Sequence, residues 1–384
     1  MTGHIRPRGD RTWELKYDVG TDAAGKRKTR YASFKGSKRE AAIELAKLIA
    51  AAAAGEQVDP TRMTVSEFLD RWLRDWVPGN VSPKTAERYG ELLRLHVRPH
   101  LGVGRVQKLR AVHLTQLYGK LGASLAPRTV GHVHRVLRQS LGHAMDWDIL
   151  ATNPAARVKA PHVDQEEVET LTAAEIRAVL EKARGRPIYQ IAALALATGM
   201  RRGELLALRW QDISLDRSQI TVARSLEQTA QGLRFKPPKT RHGRRTITLP
   251  ASAVADLRSH WKAQQELRLA LGAGKSPPSS LVFADSNGEP RKPNAVTKEW
   301  QRTAGMAKVT ATFHSLRHTH ASQLIAGGID ILTVSRRLGH ASAAITMNVY
   351  AHLIPQTDER AAAAIETAIL ATGFATGQAI TERD

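Results

Sequence analysis

Residues 313–352 read FHSLRHTHASQLIAGGIDILTVSRRLGHASAAITMNVYAH, and the rest of the chain can be interpreted outward from them. His314 and Arg317 stand three positions apart, so they share one face of a predicted helix. His340 and Tyr350 follow, separated by ten positions. Arginine binds phosphate bidentately, histidine transfers protons near neutral pH, and tyrosine can serve as a covalent nucleophile. The stretch therefore predicts a cluster that binds and attacks a phosphate.

The bulk composition indicates a protein that meets a polyanion. The chain has 384 residues, enough for two or three domains, and 42% of them are hydrophobic, enough for real cores. Its formal net charge is +21 and its pI is about 10.5. Such a charge favours nucleic acid as the partner. An anionic membrane surface is the alternative, and it is less favoured because the basic residues are spread over several segments.

Several classes of protein and site are disfavoured by the sequence. The chain has no cysteine, so disulfides, cysteine-bound zinc and thiol nucleophiles are excluded. It shows no secretory leader and no apolar run of membrane-spanning length, so we expect a cytoplasmic protein without a membrane partner. The loop GAGKS at residues 272–276 lacks the first glycine of a nucleotide-binding loop, because that position is Leu269. Histidines and carboxylates do not follow a metal-binding spacing, so we expect neither a metal nor a cofactor.

The pattern of helices and strands predicts a mainly α protein with small β-sheets, of the α+β class, in three domains. Residues 1–60 form a sheet-plus-helix module, residues 61–155 a helical domain, and residues 165–384 a mixed domain with a tail helix. A Pro-containing polar stretch after Asn153 reads as the linker between the last two.

The N-terminal module is predicted from alternating apolar residues. Trp13–Val19 and Thr29–Phe34 have the period of strands, and Ser37 with Glu40 forms a capping box ahead of a helix. A basic run without acids crosses the second strand. We expect it to contact DNA rather than only solvent. The candidate DNA-binding residues of the run are Lys26, Arg27, Lys28 and Arg30.

The helical domain begins with a second capping box, Thr64 with Glu67, and Pro83 and Pro127 start later helices. Its apolar residues recur at helical spacing, and its outer faces are basic. A solvated helix bundle is an equally good account of any one of these charges. The candidate DNA-binding residues here are Lys84, Arg88, Arg128 and Arg135.

Two further groups accompany the phosphate cluster in the third domain. Arg201 and Glu204 lie at i and i+3, where the carboxylate can orient the guanidinium, although a surface ion pair is the simpler alternative. Lys239 lies in a basic hairpin connection between two predicted strands. It can contact the DNA minor groove or donate a proton, and a plain phosphate contact is the alternative.

Taken in order, these motifs resemble the tyrosine recombinases, the integrases of phages and integrative elements. The motifs are T-G-x-R-x-x-E-L from Thr198 to Leu205, Lys239-Thr240, H-x-L-R-H-T from His314, L-G-H at 338–340, and Tyr350. The resemblance extends over nearly the whole chain. It implies that the three domains are an arm-type DNA-binding module, a core-binding domain and a catalytic domain.

The resemblance also implies a role for each site residue. Arg201 and Arg317 clamp the scissile phosphate, and Tyr350 attacks it to form a 3′-phosphotyrosine. Lys239 protonates the leaving 5′-hydroxyl, His314 assists proton transfer, and His340 binds the phosphate. Glu204 supports Arg201.

The partners implied are double-stranded attachment sites, a homotetramer on DNA, and possible excisionase and DNA-bending proteins. Type IB topoisomerases share the chemistry, but the N-terminal module and the spacing from L-G-H to the tyrosine favour recombination. A non-catalytic DNA-binding regulator is the third alternative, and it would lack a catalytic residue.

Overall fold

The computed structural model describes residues 3–21, 25–53, 58–164, 168–238, 241–353 and 358–369. The chain divides into two compact units, Met1–Gln165 and Glu166–Asp384. The predicted boundary near residue 60 lies inside the first unit, so the three-domain division stays a prediction.

The N-terminal module packs one helix on an antiparallel sheet of order β1–β2–β3. Leu15 and Tyr17 on the middle strand are buried against Ala41 and Leu45 of the helix. The predicted capping box is confirmed, since the Ser37 N–H donates to the Glu40 carboxylate at 2.7 Å. The first strand was not predicted because its sequence, GHIRPRG, carries a single large apolar residue. The elements are β1 (Gly3–Gly9), β2 (Thr12–Thr21), β3 (Arg27–Lys35) and α1 (Lys38–Ala53).

A helical bundle with its own apolar core completes the first unit. Its first helix begins at the predicted capping box, in which the Thr64 N–H donates to Glu67 at 2.8 Å. Helical turns continue through Pro99, because proline in the first turn of a helix loses no hydrogen bond. The helices are α2 (Val65–Asp75), α3 (Val77–Asn80), α4 (Pro83–Leu92), α5 (Arg98–Leu101), α6 (Ala111–Gly122) and α7 (Pro127–Asp146).

The second unit surrounds a core formed by helices and two small sheets. The elements before the longest helix are α8 (Ala173–Ala183), α9 (Pro187–Thr198), α10 (Arg202–Leu206), β4 (Ile213–Ser214), β5 (Gln219–Val222), β6 (Ser225–Thr229), β7 (Gly232–Lys236) and β8 (Arg245–Thr248). The remaining helices are α11 (Ala251–Ala270), α12 (Pro293–Met306), α13 (Ser315–Ala326), α14 (Ile331–Leu338), α15 (Ala343–Tyr350) and α16 (Asp358–Ile369).

The strand pairing corrects one expectation. The sheets have the orders β4–β5–β8 and β6–β7, so β6 and β7 form a hairpin inserted between the paired strands β5 and β8. The segment that holds Lys239 therefore connects β7 of one sheet to β8 of the other, and it is not the turn of a hairpin. Lys239 itself lies outside the described residues.

Candidate active site

Two glycine turns form the frame of the site in the second unit. Gly199 ends α9 at φ 65°, and Gly339 ends α14 at φ 68°, a left-handed conformation that side chains disfavour. A Cβ on Gly199 would lie 2.6 Å from His320, and one on Gly339 would lie 2.8 Å from the Arg245 guanidinium. Backbone conformation and close packing both require glycine, which explains its place in T-G-x-R and L-G-H.

Arg317 joins the two turns from α13. Its guanidinium donates to the Gly199 carbonyl at 2.7 Å and to the Leu338 carbonyl at 2.9 Å. The residue is 3% exposed. Burial, with the neighbouring Arg201, lowers the pKa of Arg317 to about 9. The guanidinium is therefore fixed in position by two neutral carbonyls and can bind an added anion.

A second guanidinium enters the cluster from the start of α10. Arg201 donates to the Glu204 carboxylate at 2.9 Å and to the Gly339 carbonyl at 3.3 Å. Arg245 of β8 binds the same carboxylate at 2.9 Å and also the Arg337 carbonyl at 2.6 Å. Arg201 and Arg245 thus share one carboxylate, and Arg317 adds a third guanidinium that bonds to carbonyls. The surplus positive charge is suited to an incoming phosphate.

Glu204 bonds to Arg201, as the i, i+3 spacing predicted, and it also bonds to Arg245, which was not predicted. Burial raises the pKa of Glu204, but Arg245 and Arg201 together lower it by more than burial raises it. The pKa is therefore below the ordinary value for a glutamate. The alternative of a surface ion pair is wrong, because Glu204 is 4% exposed.

Glu204→Gln should destabilise the second unit, because the change leaves a buried guanidinium without its anion. We expect a loss of roughly 3–5 kcal/mol in the free energy of unfolding at pH 7, measured by urea denaturation. The native carboxylate has a lowered pKa, so its stabilising effect is present above about pH 4.5 and is lost as the pH falls through the native pKa. The difference between wild type and variant should therefore shrink below that pH.

Glu181→Gln is the matched control, since Glu181 is an exposed glutamate of α8 in the same unit. It should change stability by less than about 0.5 kcal/mol. Equal effects of the two changes, or a difference between Glu204→Gln and wild type that stays constant down to pH 3, would contradict a structural role for the Glu204 carboxylate.

Tyr350 lies at the end of α15 and is 1% exposed. Its hydroxyl is 2.7 Å from Nδ1 of His318. His314 lies one helical turn earlier, and its ring is perpendicular to that of His318 with 4.7 Å between centroids. Burial raises the pKa of Tyr350 to about 12, and Arg317 opposes this rise. The predicted nucleophile thus faces a histidine that the sequence analysis did not select.

His340 follows the Gly339 turn and is tied to the helix of the tyrosine. Its Nδ1 lies 2.8 Å from the Thr346 hydroxyl, and Thr346 is buried one turn before Tyr350. Burial, with Arg317, Arg201 and Arg245, lowers the pKa of His340 to about 4. His340 is therefore neutral and can donate a hydrogen bond to an anion without adding charge.

His320 and Arg337 connect the elements that carry the two glycine turns and Arg317. His320 Nδ1 lies 2.7 Å from the Leu196 carbonyl, and its Nε2 accepts from Arg337 at 3.0 Å. Arg337 also donates to the carbonyls of Ala197 and Thr248, each at 3.1 Å. These bonds link α9, α13, α14 and β8, which carry the two glycine turns and Arg317.

Sequence reasoning missed Arg245, His318 and Arg337. Arg245 is one of several arginines after Lys239, and no local pattern separates the buried one from the exposed ones. His318 could have been found, because it follows His314 by four residues on the face of a helix. In the described part of the chain, no group of three or more histidines or acids could hold a metal ion.

The predicted DNA-binding residues lie in two places in the first unit. Lys28 and Arg30 form ion pairs with Asp59, Arg27 pairs with Asp18, and Lys26 is exposed just before β3.

In the helical bundle, Lys84 and Arg88 pair with acids one turn later on α4, at 2.9 and 2.6 Å. Arg88 of α4 and Arg128 and Arg135 of α7 surround His132, whose pKa is lowered by burial and by these three charges. Two helices therefore contribute to one basic surface.

Comparisons with known proteins identify the family of the chain. Residues 162–357 match the phage integrase family, and residues 64–122 match the N-terminal SAM-like domain of phage integrases. A XerC-like tyrosine recombinase from Caldanaerobacter subterraneus subsp. tengcongensis is 28% identical, over 91% of this chain and 94% of that protein. An integrase from Streptomyces ambofaciens is 30% identical, over 88% of each chain.

Solved structures share the fold. The Tn1549 transposon integrase in complex with transposon right-end DNA has a TM-score of 0.65 at 22% identity, over 80% of this chain and 99% of that one. A lambda integrase tetramer bound to a Holliday junction has a TM-score of 0.57 at 17% identity, over 92% and 95%. In the described residues no helix has the length and apolarity to cross a membrane. The chain belongs to the phage integrase family, and it is a tyrosine-type site-specific DNA recombinase.

Proposed function

We propose that this recombinase cuts a DNA strand by attack of Tyr350 on a phosphate held by Arg201, Arg317 and His340. The observation that carries the proposal is the convergence of these side chains on the Gly199 and Gly339 turns. Arg201 and Arg317 both donate to carbonyls of these turns, and His340 is anchored to the helix of Tyr350. Two guanidiniums at fixed positions stabilise the charge that develops on the phosphate oxygens during attack.

The products of attack are a 3′-phosphotyrosine and a free 5′-hydroxyl. As the tyrosine oxygen bonds to phosphorus, the bond to the 5′-oxygen breaks, and that oxygen requires a proton. Lys239 is our proposed donor. The phosphodiester energy stays in the covalent link, so a 5′-hydroxyl can reverse the reaction and rejoin a strand without nucleotide hydrolysis.

The basic surface around His132 in the helical bundle is proposed to bind the DNA next to the cut. Arg88, Arg128 and Arg135 are placed there by two different helices, and phosphate contacts of this kind supply affinity without base recognition. The basic strand of the N-terminal module, with Lys26, Arg27, Lys28 and Arg30, is proposed to bind separate arm-type sites. These two surfaces and the catalytic unit correspond to three proposed domains, 1–60, 61–155 and 165–384.

Strand exchange between two duplexes requires four cuts, and therefore about four protomers that each supply one tyrosine. A homotetramer on DNA is the assembly we propose, and the lambda integrase tetramer on a Holliday junction shares this fold. The proposed role is integration or excision of a mobile element, since relatives include the ICEBs1 integrase of Bacillus subtilis, 25% identical over 71% of this chain and 74% of that protein. An excisionase and a DNA-bending protein are the accessory partners we propose.

A covalent trap tests the function. Duplexes are enriched from a randomised library by rounds of binding, and each is then made with a nick a few nucleotides 3′ of the cut. The short fragment with the 5′-hydroxyl diffuses away, so rejoining is blocked and the protein–DNA adduct accumulates. We expect an adduct that survives detergent, and recombinant joints when two intact duplexes are supplied.

Two results would count against this function. Tight binding of DNA without any covalent adduct would contradict the proposed attack of Tyr350 on a phosphate. Relaxation of supercoiled DNA with no recombinant joint would identify a topoisomerase activity in its place.

A further inference from the structure

The hydroxyl of Tyr350 lies against a histidine, His318, that takes no part in the reaction steps proposed above. Tyr350 is 1% exposed, and a phenol O–H buried to this extent requires an acceptor. Within the described ranges of the chain, its hydrogen-bond partner is Nδ1 of His318 at 2.7 Å. Because the buried O–H needs an acceptor, we assign the phenol as the donor and Nδ1 as the acceptor, which places the remaining ring proton of His318 on Nε2.

His318 is surrounded by groups that keep it neutral. His314 and Arg317 lie beside it on α13, Tyr350 faces it from α15, and His318 in turn helps to lower the pKa of His340 at the end of α14. Burial, His314 and Arg317 lower the pKa of His318 to about 4. At neutral pH the lone pair on Nδ1 is therefore free to receive a proton.

We propose that His318 is the general base that takes the proton of Tyr350 as the tyrosine attacks DNA. The step rests on the proposed function and deepens it. The O–H bond of Tyr350 breaks, its proton moves to Nδ1 of His318, and the phenolic oxygen bonds to phosphorus. The bond from phosphorus to the 5′-oxygen breaks, and Lys239 protonates that oxygen. In the rejoining reaction, His318 returns the proton to the tyrosine.

A base is needed because burial holds the tyrosine in its neutral form. With a pKa of about 12, the phenol is almost wholly protonated at neutral pH. The bound DNA phosphate strengthens His318 as a base, because its negative charge offsets the field of Arg317 and so favours the protonated imidazole. Proton acceptance is thereby coupled to occupation of the phosphate site.

His314 is the residue to which the resemblance assigned proton transfer. Among the described contacts it touches the ring of His318, and no hydrogen bond joins it to Tyr350. We therefore place His314 behind the base, where it orients the His318 ring.

His318→Asn distinguishes a general base from a residue that only holds Tyr350 in place. The carboxamide oxygen of asparagine lies near the position of Nδ1, so it can still accept the hydrogen bond of Tyr350 but cannot hold a proton. We expect single-turnover adduct formation on the nicked duplex to fall by about 10²- to 10⁴-fold at pH 7. The rate should then rise about tenfold per pH unit from pH 6 to 9, because solvent must generate the phenolate. Wild type should show a nearly flat profile from pH 7 to 9.

His318→Ala provides a second variant with a different readout. Its cavity should admit imidazole, and added imidazole should restore part of the adduct rate. His320→Gln is the matched control, because His320 is a buried histidine on the same helix that faces the Leu196 carbonyl. Its pH profile should keep the wild-type shape. Gel-shift affinity and thermal melting are measured for each variant.

The outcomes distinguish this inference from the function on which it rests. If wild type forms no adduct, the proposed function fails. If wild type forms one and His318→Asn matches it in rate and pH profile, His318 only holds the tyrosine in place and the base assignment is overturned. A flat profile in a slow, imidazole-insensitive His318→Ala would also overturn it.

Discussion

Tyr350→Phe should abolish the covalent adduct while leaving DNA binding intact. The change removes the one atom proposed to attack phosphorus and keeps the ring that packs against Ala321, Ile325, Val334 and Leu338. It also leaves Nδ1 of His318 without its donor, a cost of roughly 1–3 kcal/mol in stability. The measurements are detergent-resistant adduct on the nicked duplex and gel-shift affinity at constant salt.

Tyr118→Phe is a closely matched control in the helical bundle. Tyr118 is also a buried tyrosine, and its hydroxyl lies 3.1 Å from Nδ1 of His134. The two changes therefore delete the same group from similar surroundings, but Tyr118→Phe should retain the adduct. An adduct formed by Tyr350→Phe would show that another residue is the nucleophile.

Arg201→Lys should lower the rate of adduct formation by about 10²- to 10³-fold, as expected for loss of a transition-state donor. A lysine ammonium cannot reproduce the planar fork that reaches both Glu204 and the Gly339 carbonyl. Single-turnover rates at saturating protein measure the effect apart from DNA affinity.

The adjacent Arg202 supplies the control. Its guanidinium bonds to the Thr297 hydroxyl on α12, away from the cluster, so Arg202→Lys should cleave at close to the wild-type rate. The two arginines are adjacent in the sequence, and the register of the T-G-x-R motif favours Arg201. A large loss in Arg202→Lys with little in Arg201→Lys would reverse that choice.

Much of the local structure could be predicted because its causes are local. Capping boxes at Ser37 and Thr64 place helix starts that the structure confirms. The strand of Trp13–Val19 follows from alternation. By contrast, β6 and the pairing of β5 with β8 were not predicted, since the 22 residues between Val222 and Arg245, which include the β6–β7 hairpin, leave no local signal of that pairing.

The candidate site divides in the same way. His314, Arg317, His340 and Tyr350 stand in one stretch with recognisable spacing, and their place in an ordered series of motifs is enough to indicate the family and its chemistry. Arg245 carries no such signal, because a strand arginine among other arginines becomes special only when folding buries it against Glu204.

The order of residues therefore determines the family, the helix starts and the set of groups available to a phosphate. Tertiary packing decides how those groups are used, because burial and pairing depend on contacts between segments far apart in the chain. Packing brings two arginines to Glu204 and joins the two glycine turns through Arg317. It also places the Tyr350 hydroxyl against His318. Low dielectric and close contact then produce pKa values that the same side chains do not have in water.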